Sequence, residues 1–203
     1  MIGVIDIGIS NIGSVLNIFK HVGYEAVSVS QPSQLSKCSK IVLPGVGSFD
    51  KGIDRLMNSG LVDCLNEKVL NERIPILGIC LGMQLMCRSS DEGILTGLGW
   101  VDAKVNSFNT SFLPPDRIPH MGWNNVTVEK VSAITDGLDK NSRFYFIHSY
   151  YVDCMDSSDI LLTTNYGDKF VSAFQKDNIV GVQFHPEKSH VFGALLIKNF
   201  GAI

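Results

Sequence analysis

Cys80 stands between Gly78 and Gly82 in a run without charge, I-P-I-L-G-I-C-L-G-M-Q-L-M-C, from Ile74 to Cys87. The G-x-Cys-x-G spacing is that of a nucleophile elbow, where the reactive side chain sits on a sharp strand-to-helix turn. Glycine fits both flanks because a side chain there would collide with the crowded backbone. A helix starting after Cys80 would point its partial positive end at the sulfur. Taken alone, Cys80 can equally be a small buried apolar residue, the usual state of a free cysteine. The rest of the chain has to distinguish the two.

A thiol nucleophile needs a base, and the base needs an orienting partner. Among the histidines His21, His120, His148, His185 and His190, His21 falls on a predicted surface helix. His185 follows the strand-like V-G-V-Q-F and precedes Pro186, which ends the pairing. Residues at the C-terminal ends of strands in an open α/β sheet face the crevice where ligands bind. Glu187 can accept a proton from the distal imidazole nitrogen and fix the tautomer. Cys80, His185 and Glu187 therefore form a candidate triad, although His185 could also cap a strand and Glu187 be solvated. Acyl transfer further needs donors for an oxyanion. Pro44-Gly45-Val46-Gly47 follows a predicted strand, so the Gly47 backbone can reach the same rim as the Leu81 N–H. A second, different signal is Gly8, Ser10 and Gly13, spaced like a dinucleotide fingerprint. Its middle glycine is replaced and the next strand ends without an acidic residue, so nucleotide binding is not expected.

The elements that must position these groups follow from apolar periodicity. Strands are predicted at Ile2–Ile5, Glu25–Ser30, Lys40–Leu43 and the segment into Cys80. Helices are predicted from Val15 to a stop at Gly23, and near Pro32–Ser36, Asp50–Met57 and Leu61–Asn71. Alternation of this kind implies a parallel sheet covered on both faces. Beyond Ser90 the pattern becomes consecutive strands at Val101–Phe108, Trp123–Glu129, Arg143–Tyr151, Ile160–Thr164, Phe170–Lys176 and Ile179–Phe184, closed by a helix near Val191–Phe200. Asn109–Pro119, with three prolines, is expected to be irregular. The expected fold class is α/β: a twisted, largely parallel central sheet flanked by helices, with an antiparallel C-terminal extension, in a single domain over residues 1–203.

Composition bounds the function. Hydrophobic residues make up 45% and charged residues 18%, with a net charge of −3, so no basic excess points to nucleic acid or a membrane surface. The start carries no basic leader, and the five cysteines form no C-x-x-C pair. Neither a disulfide framework nor a metal site is expected, nor a cofactor, and a reducing cytoplasm fits best.

With G-I-C-L-G-M-Q, P-G-V-G-S-F and H-P-E-K-S together, the chain resembles the class I (triad-type) glutamine amidotransferases. The likeness is nearest to the glutaminase subunits of imidazole glycerol phosphate synthase, of histidine biosynthesis. It extends to P-H-M-G-W-N at Pro119–Asn124 and Y-F-I-H-S-Y at Tyr145–Tyr150. The resemblance implies that Cys80 attacks the side-chain amide of L-glutamine, giving a γ-glutamyl thioester and ammonia. It gives His185 the proton transfers and Glu187 the task of orienting it, with Gly47 and Leu81 at the oxyanion. Gln84, with His148, Ser149 and Tyr150, would hold the α-amino and carboxylate groups of glutamine. Asn11 and Trp123 fall in the family's partner-facing motifs. Ammonia would pass to a (β/α)₈ cyclase subunit, a separate chain, because ammonia released to neutral water would be protonated. Ile7, Ser10 and His190 depart from the histidine-pathway pattern. This leaves open a paralogue that feeds a sugar amidotransferase in surface-polysaccharide synthesis. A different γ-glutamyl hydrolase would share the Cys-His-Glu triad, and a non-catalytic binding module could retain the same residues.

Overall fold

In the computed structural model, residues 1–108 and 117–203 are described. The predicted irregular stretch Asn109–Pro119 lies outside them except for Arg117–Pro119. The first half alternates as its periodicity predicts: β1 (Ile2–Ile5), α1 (Ile12–His21), β2 (Ala26–Val29), α2 (Pro32–Leu35), β3 (Lys40–Gly45), α3 (Phe49–Asn58), α4 (Val62–Asn66), β4 (Ile76–Cys80) and α5 (Leu81–Leu85). The predicted helix Leu61–Asn71 finishes as a π-turn over Glu67–Asn71. The second half contains β5 (Ser89–Ser90), β6 (Ala103–Ser107), β7 (His120–Asn125), β8 (Thr127–Val128), β9 (Arg143–His148), β10 (Tyr150–Cys154), β11 (Ile160–Tyr166), β12 (Asp168–Lys176), β13 (Ile179–Val182) and α6 (His190–Ala202).

The main sheet runs in the order β2-β1-β3-β4-β13-β12-β10-β6-β5, with β11 attached to β12 and β8 to β11. Pairing is parallel from β2 through β13 and antiparallel among β13, β12, β10 and β6. β7 and β9 form a separate antiparallel pair. Two predicted strands need correction. Arg143–Tyr151 breaks at Ser149, because β9 pairs with β7 whereas β10 pairs with β6 and β12 in the other sheet. Trp123–Glu129 divides in the same way into the end of β7 and the short β8, which joins β11.

Parallel strands in this position are buried on both faces and read as nearly continuous apolar runs. Ile41 and Leu43 of β3 and Ile76 of β4 pack against Phe49, Ile53 and Leu56 of α3, which recur at helical spacing, and Leu65 of α4. Leu77, Ile79, Val180 and Val182 face the opposite way, onto Val15 and Phe19 of α1 and Leu196 and Phe200 of α6. Each such side chain contributes roughly 1.5–3 kcal/mol when fully buried. α1 stops where Gly23 adopts φ +89°, with Gly23 N–H bonded to the Lys20 carbonyl and Tyr24 N–H to that of Phe19. That is a Schellman ending, and it supports the predicted stop at Gly23. Among the described residues no helix is long and apolar enough to cross a membrane.

Candidate active site

The C-terminal ends of three neighbouring strands meet at Cys80. Gly45 of β3 is in register with Cys80 of β4 on one side. On the other side Val182 of β13 pairs with Ile79, so Gln183 follows directly alongside Cys80. Cys80 has φ +53°, a left-handed conformation that L-residues adopt only where the surroundings enforce it. The enforcement comes from the two glycines. A Cβ on Gly78 would lie 2.8 Å from the Met83 nitrogen, and one on Gly82 would overlap the Leu43 carbonyl oxygen. The strand, the tight turn and α5 thus lie within backbone contact of one another, as the elbow spacing predicts.

Cys80 is buried, with its thiol directed toward the Ile147 carbonyl at 3.9 Å. Gln183 donates toward the sulfur from Nε2 at 3.7 Å. The side chains of His185 and Glu187 are 3% and 7% exposed, and His185 Nδ1 lies 2.7 Å from Glu187 Oε1. Among the described residues, the other imidazole nitrogen, Nε2, has no hydrogen-bond partner. Burial alone would push the His185 pKa down, but the neighbouring Cys80 sulfur and the Glu187 carboxylate favour the imidazolium and raise it to about 10. The open Nε2 edge is therefore a protonated donor at neutral pH, held in place from the Nδ1 side.

Cys80 and His185 line a cleft of about 370 Å³ with Val46, Gly47, Leu81, Gln84, and Ile147 through Tyr150. Gln84 is 5% exposed and donates from Nε2 to the Tyr150 carbonyl at 3.2 Å and to Gln183 Oε1 at 3.0 Å. His148 is buried, and its Nδ1 bonds the same Tyr150 carbonyl at 2.8 Å. Leu81 begins α5, where the first backbone N–H groups have no partner within the helix. Gly47 has φ +107°, and the preceding Val46 N–H is bonded to the Ile9 carbonyl at 2.8 Å.

Asn11 and Trp123 lie away from the cleft floor. Asn11 caps α1, its side chain accepting from Ser14 N–H at 3.2 Å. Trp123 is 44% exposed on β7 and stacks on His190 with a centroid distance of 5.2 Å and an interplanar angle of 9°. Met121, Trp123 and Ile147 share the outer face of the β7–β9 pair, and all three are exposed.

Two groups at the sulfur escaped the sequence reading. Gln183 was legible in principle, because alternate residues of a strand share a face and Gln183 is two residues before His185. The Ile147 carbonyl left no such signal, since a backbone group carries no side-chain identity.

Comparison with known proteins agrees with this geometry. The family model "Glutamine amidotransferase class-I" matches residues 3–202. Over 200 residues, 98% of each chain, the sequence is 52% identical to "Imidazole glycerol phosphate synthase subunit HisH 2" of Methanococcus maripaludis. It is 44% identical to "Imidazole glycerol phosphate synthase subunit HisH" of Leptospira borgpetersenii over the whole of both chains. Among solved structures, a glutamine amidotransferase superposes with a TM-score of 0.73 at 17% identity, covering 98% of both chains. Another from Thermotoga maritima gives 0.65 at 20% identity, covering 92% of this chain and 75% of that one. The elbow, the fold around it and full-length similarity together lead to one conclusion: this chain belongs to the class I glutamine amidotransferase family.

Proposed function

We propose that this chain is the glutaminase subunit of an imidazole glycerol phosphate synthase. It hydrolyses L-glutamine and delivers the ammonia to a (β/α)₈ cyclase subunit that makes imidazole glycerol phosphate and AICAR. The carrying observation is that His185, held by Glu187 at 2.7 Å, lines the same cleft as Cys80 in a chain so similar to subunits of that name. Gln84, His148, Ser149 and Tyr150 receive the α-amino and carboxylate groups of glutamine.

In this reading the Cys80 sulfur attacks the side-chain amide carbon, and the oxygen gains negative charge against the N–H groups of Leu81 and Gly47. The imidazolium of His185 gives its Nε2 proton to the leaving nitrogen; the C–N bond breaks and ammonia departs, leaving a γ-glutamyl thioester. His185, now neutral, takes a proton from water as its oxygen attacks the thioester. The C–S bond breaks, and glutamate and thiolate are released. Glu187 orients His185 and steadies the imidazolium in both steps.

The Gly47 donor requires a peptide of the P-G-V-G loop to turn, and the Val46–Ile9 hydrogen bond holds that loop in its present position. Low activity alone and activation on docking follow. The exposed outer face of β7–β9, with Met121, Trp123 and Ile147, supports a docking surface beside the cleft mouth. Asn11 is assigned to the same interface. The free cysteines suit a reducing cytoplasm.

Co-expression with a cyclase barrel tests the proposal. The two chains should co-purify, and the pair should form glutamate from glutamine far faster than this chain alone. A sugar amidotransferase recovered in place of the cyclase would overturn the pathway while leaving the glutaminase chemistry standing.

A further inference from the structure

The P-H-M-G-W-N motif carries more than its exposed tryptophan. On the inner face of the β7–β9 pair, His120 stands directly across from His148. Nδ1 of His120 and Nε2 of His148 are 2.9 Å apart. The neighbours fix the hydrogens of this pair. The Tyr150 carbonyl can only accept, so the hydrogen of His148 is on Nδ1, and in the neutral ring Nε2 is an acceptor. His120 must then donate from Nδ1, which leaves its own Nε2 to accept from the Asn124 amide at 3.2 Å. Both rings are neutral, because burial lowers the pKa of His120 to about 4 and that of His148 to about 3.

The rest of the network leads to the sulfur. The Tyr150 carbonyl that receives His148 also receives Gln84; Gln84 bonds Gln183, and Gln183 reaches Cys80. One run of hydrogen bonds thus joins Asn124, beside the exposed Trp123, to the nucleophile. The ring of His120 is stacked against Tyr166 at 3.9 Å and Phe146 at 4.7 Å, so it has little freedom to turn.

We propose that His120 is a positioning residue for glutamine. By donating to His148 Nε2 it locks the tautomer that bonds Tyr150, and so sets the wall formed by His148, Tyr150 and Gln84 that receives the substrate's α-amino and carboxylate groups. The inference rests on the glutaminase reading above. His120 touches neither substrate nor sulfur. Without its donor, His148 Nε2 is left buried and unpaired, a cost which the ring relieves by turning or changing tautomer. Either change withdraws the hydrogen bond from Tyr150.

Two substitutions separate positioning from packing. His120→Phe keeps an aromatic ring for the stack with Tyr166 and Phe146 but has no donor. His120→Asn loses the stack and retains an amide N–H near the place of Nδ1. Both are assayed with the cyclase subunit bound, as glutamate formed against glutamine concentration, alongside Tm. His120→Phe should raise KM about tenfold or more, with kcat within about threefold of wild type. His120→Asn should lower Tm further than His120→Phe, yet hold KM within about threefold of wild type. If KM instead follows Tm, or rises equally in both variants, or only kcat changes in His120→Phe, the proposal is overturned. A wild-type complex that forms no glutamate contradicts the glutaminase reading itself, and this inference falls with it.

Discussion

On one side of the cleft, Cys80 and Gly45 are held by parallel strands buried on both faces and by backbone contacts that leave no room for a Cβ. On the other side, among the described residues β7 and β9 pair only with each other, and their inner face is organised by side chains: two histidines, Asn124 and stacked rings. The first construction fixes a reacting atom rigidly. In the proposed reading the second shapes the substrate wall, and its outer face carries the exposed Met121, Trp123 and Ile147. The two sides also carry opposite electrostatics. Beside Cys80 and Glu187, His185 is raised to about 10, whereas His120 and His148 are lowered to about 4 and about 3 by burial without a counter-charge.

The contrast can be broken at its strongest point first. Cys80→Ala should remove glutamine hydrolysis by a factor on the order of 10⁴–10⁶. Its Tm should change little, because the elbow is held by Gly78, Gly82 and the strands rather than by the thiol. Substantial turnover by that variant would remove Cys80 from the mechanism. Gly82→Ala should do the reverse. It drives a Cβ into the Leu43 carbonyl, so denaturant unfolding should show a loss of about 4 kcal/mol or more, with activity failing as a consequence of lost structure.

Smaller and more diagnostic is the response to pH. His120 and His148 bind protons in the unfolded chain near the ordinary value of 6.5 but not in the native one until about 4 and about 3. Their side should therefore lose stability as pH falls below 6.5, by up to about 2–3 kcal/mol per pH unit, because two protons are involved. His185 has the opposite sign. Its contribution is complete below 6.5 and is lost as pH rises through about 10. Urea unfolding at a series of pH values checks both limbs. His185→Ala should flatten the alkaline limb alone, and flattening of the acid limb instead would reverse the assignment of the two sides.

The same contrast explains what was legible in the sequence. The elbow, the C-terminal strand ends and the His185–Glu187 pair follow from local signals: G-x-C-x-G, alternating strands and helices, and a proline that ends a strand. Gly23 announced the end of α1 for the same reason. The β7–β9 side depends on pairing across distance. His120 meets His148 because the two strands are in register, and neither residue signals the other in the intervening chain. The break at Ser149 was hidden because the aromatic-rich run through Arg143–Tyr151 has uniform strand propensity, while its two halves join different sheets. Gln183 shows an intermediate case, with a correct strand and an alternation that already pointed it to the sulfur.

The most direct measurement is acid quenching of the cyclase complex during glutamine turnover, followed by mass analysis of the peptide that contains Cys80. Wild type and His185→Ala are compared, since removing a positioned acid and base should slow the steps by about 10²–10⁴-fold. A γ-glutamyl group on Cys80 in wild type, sensitive to hydroxylamine and absent from Cys80→Ala, is the predicted result. Glutamate formed with no adduct on Cys80, or with the adduct on another residue, would contradict the account.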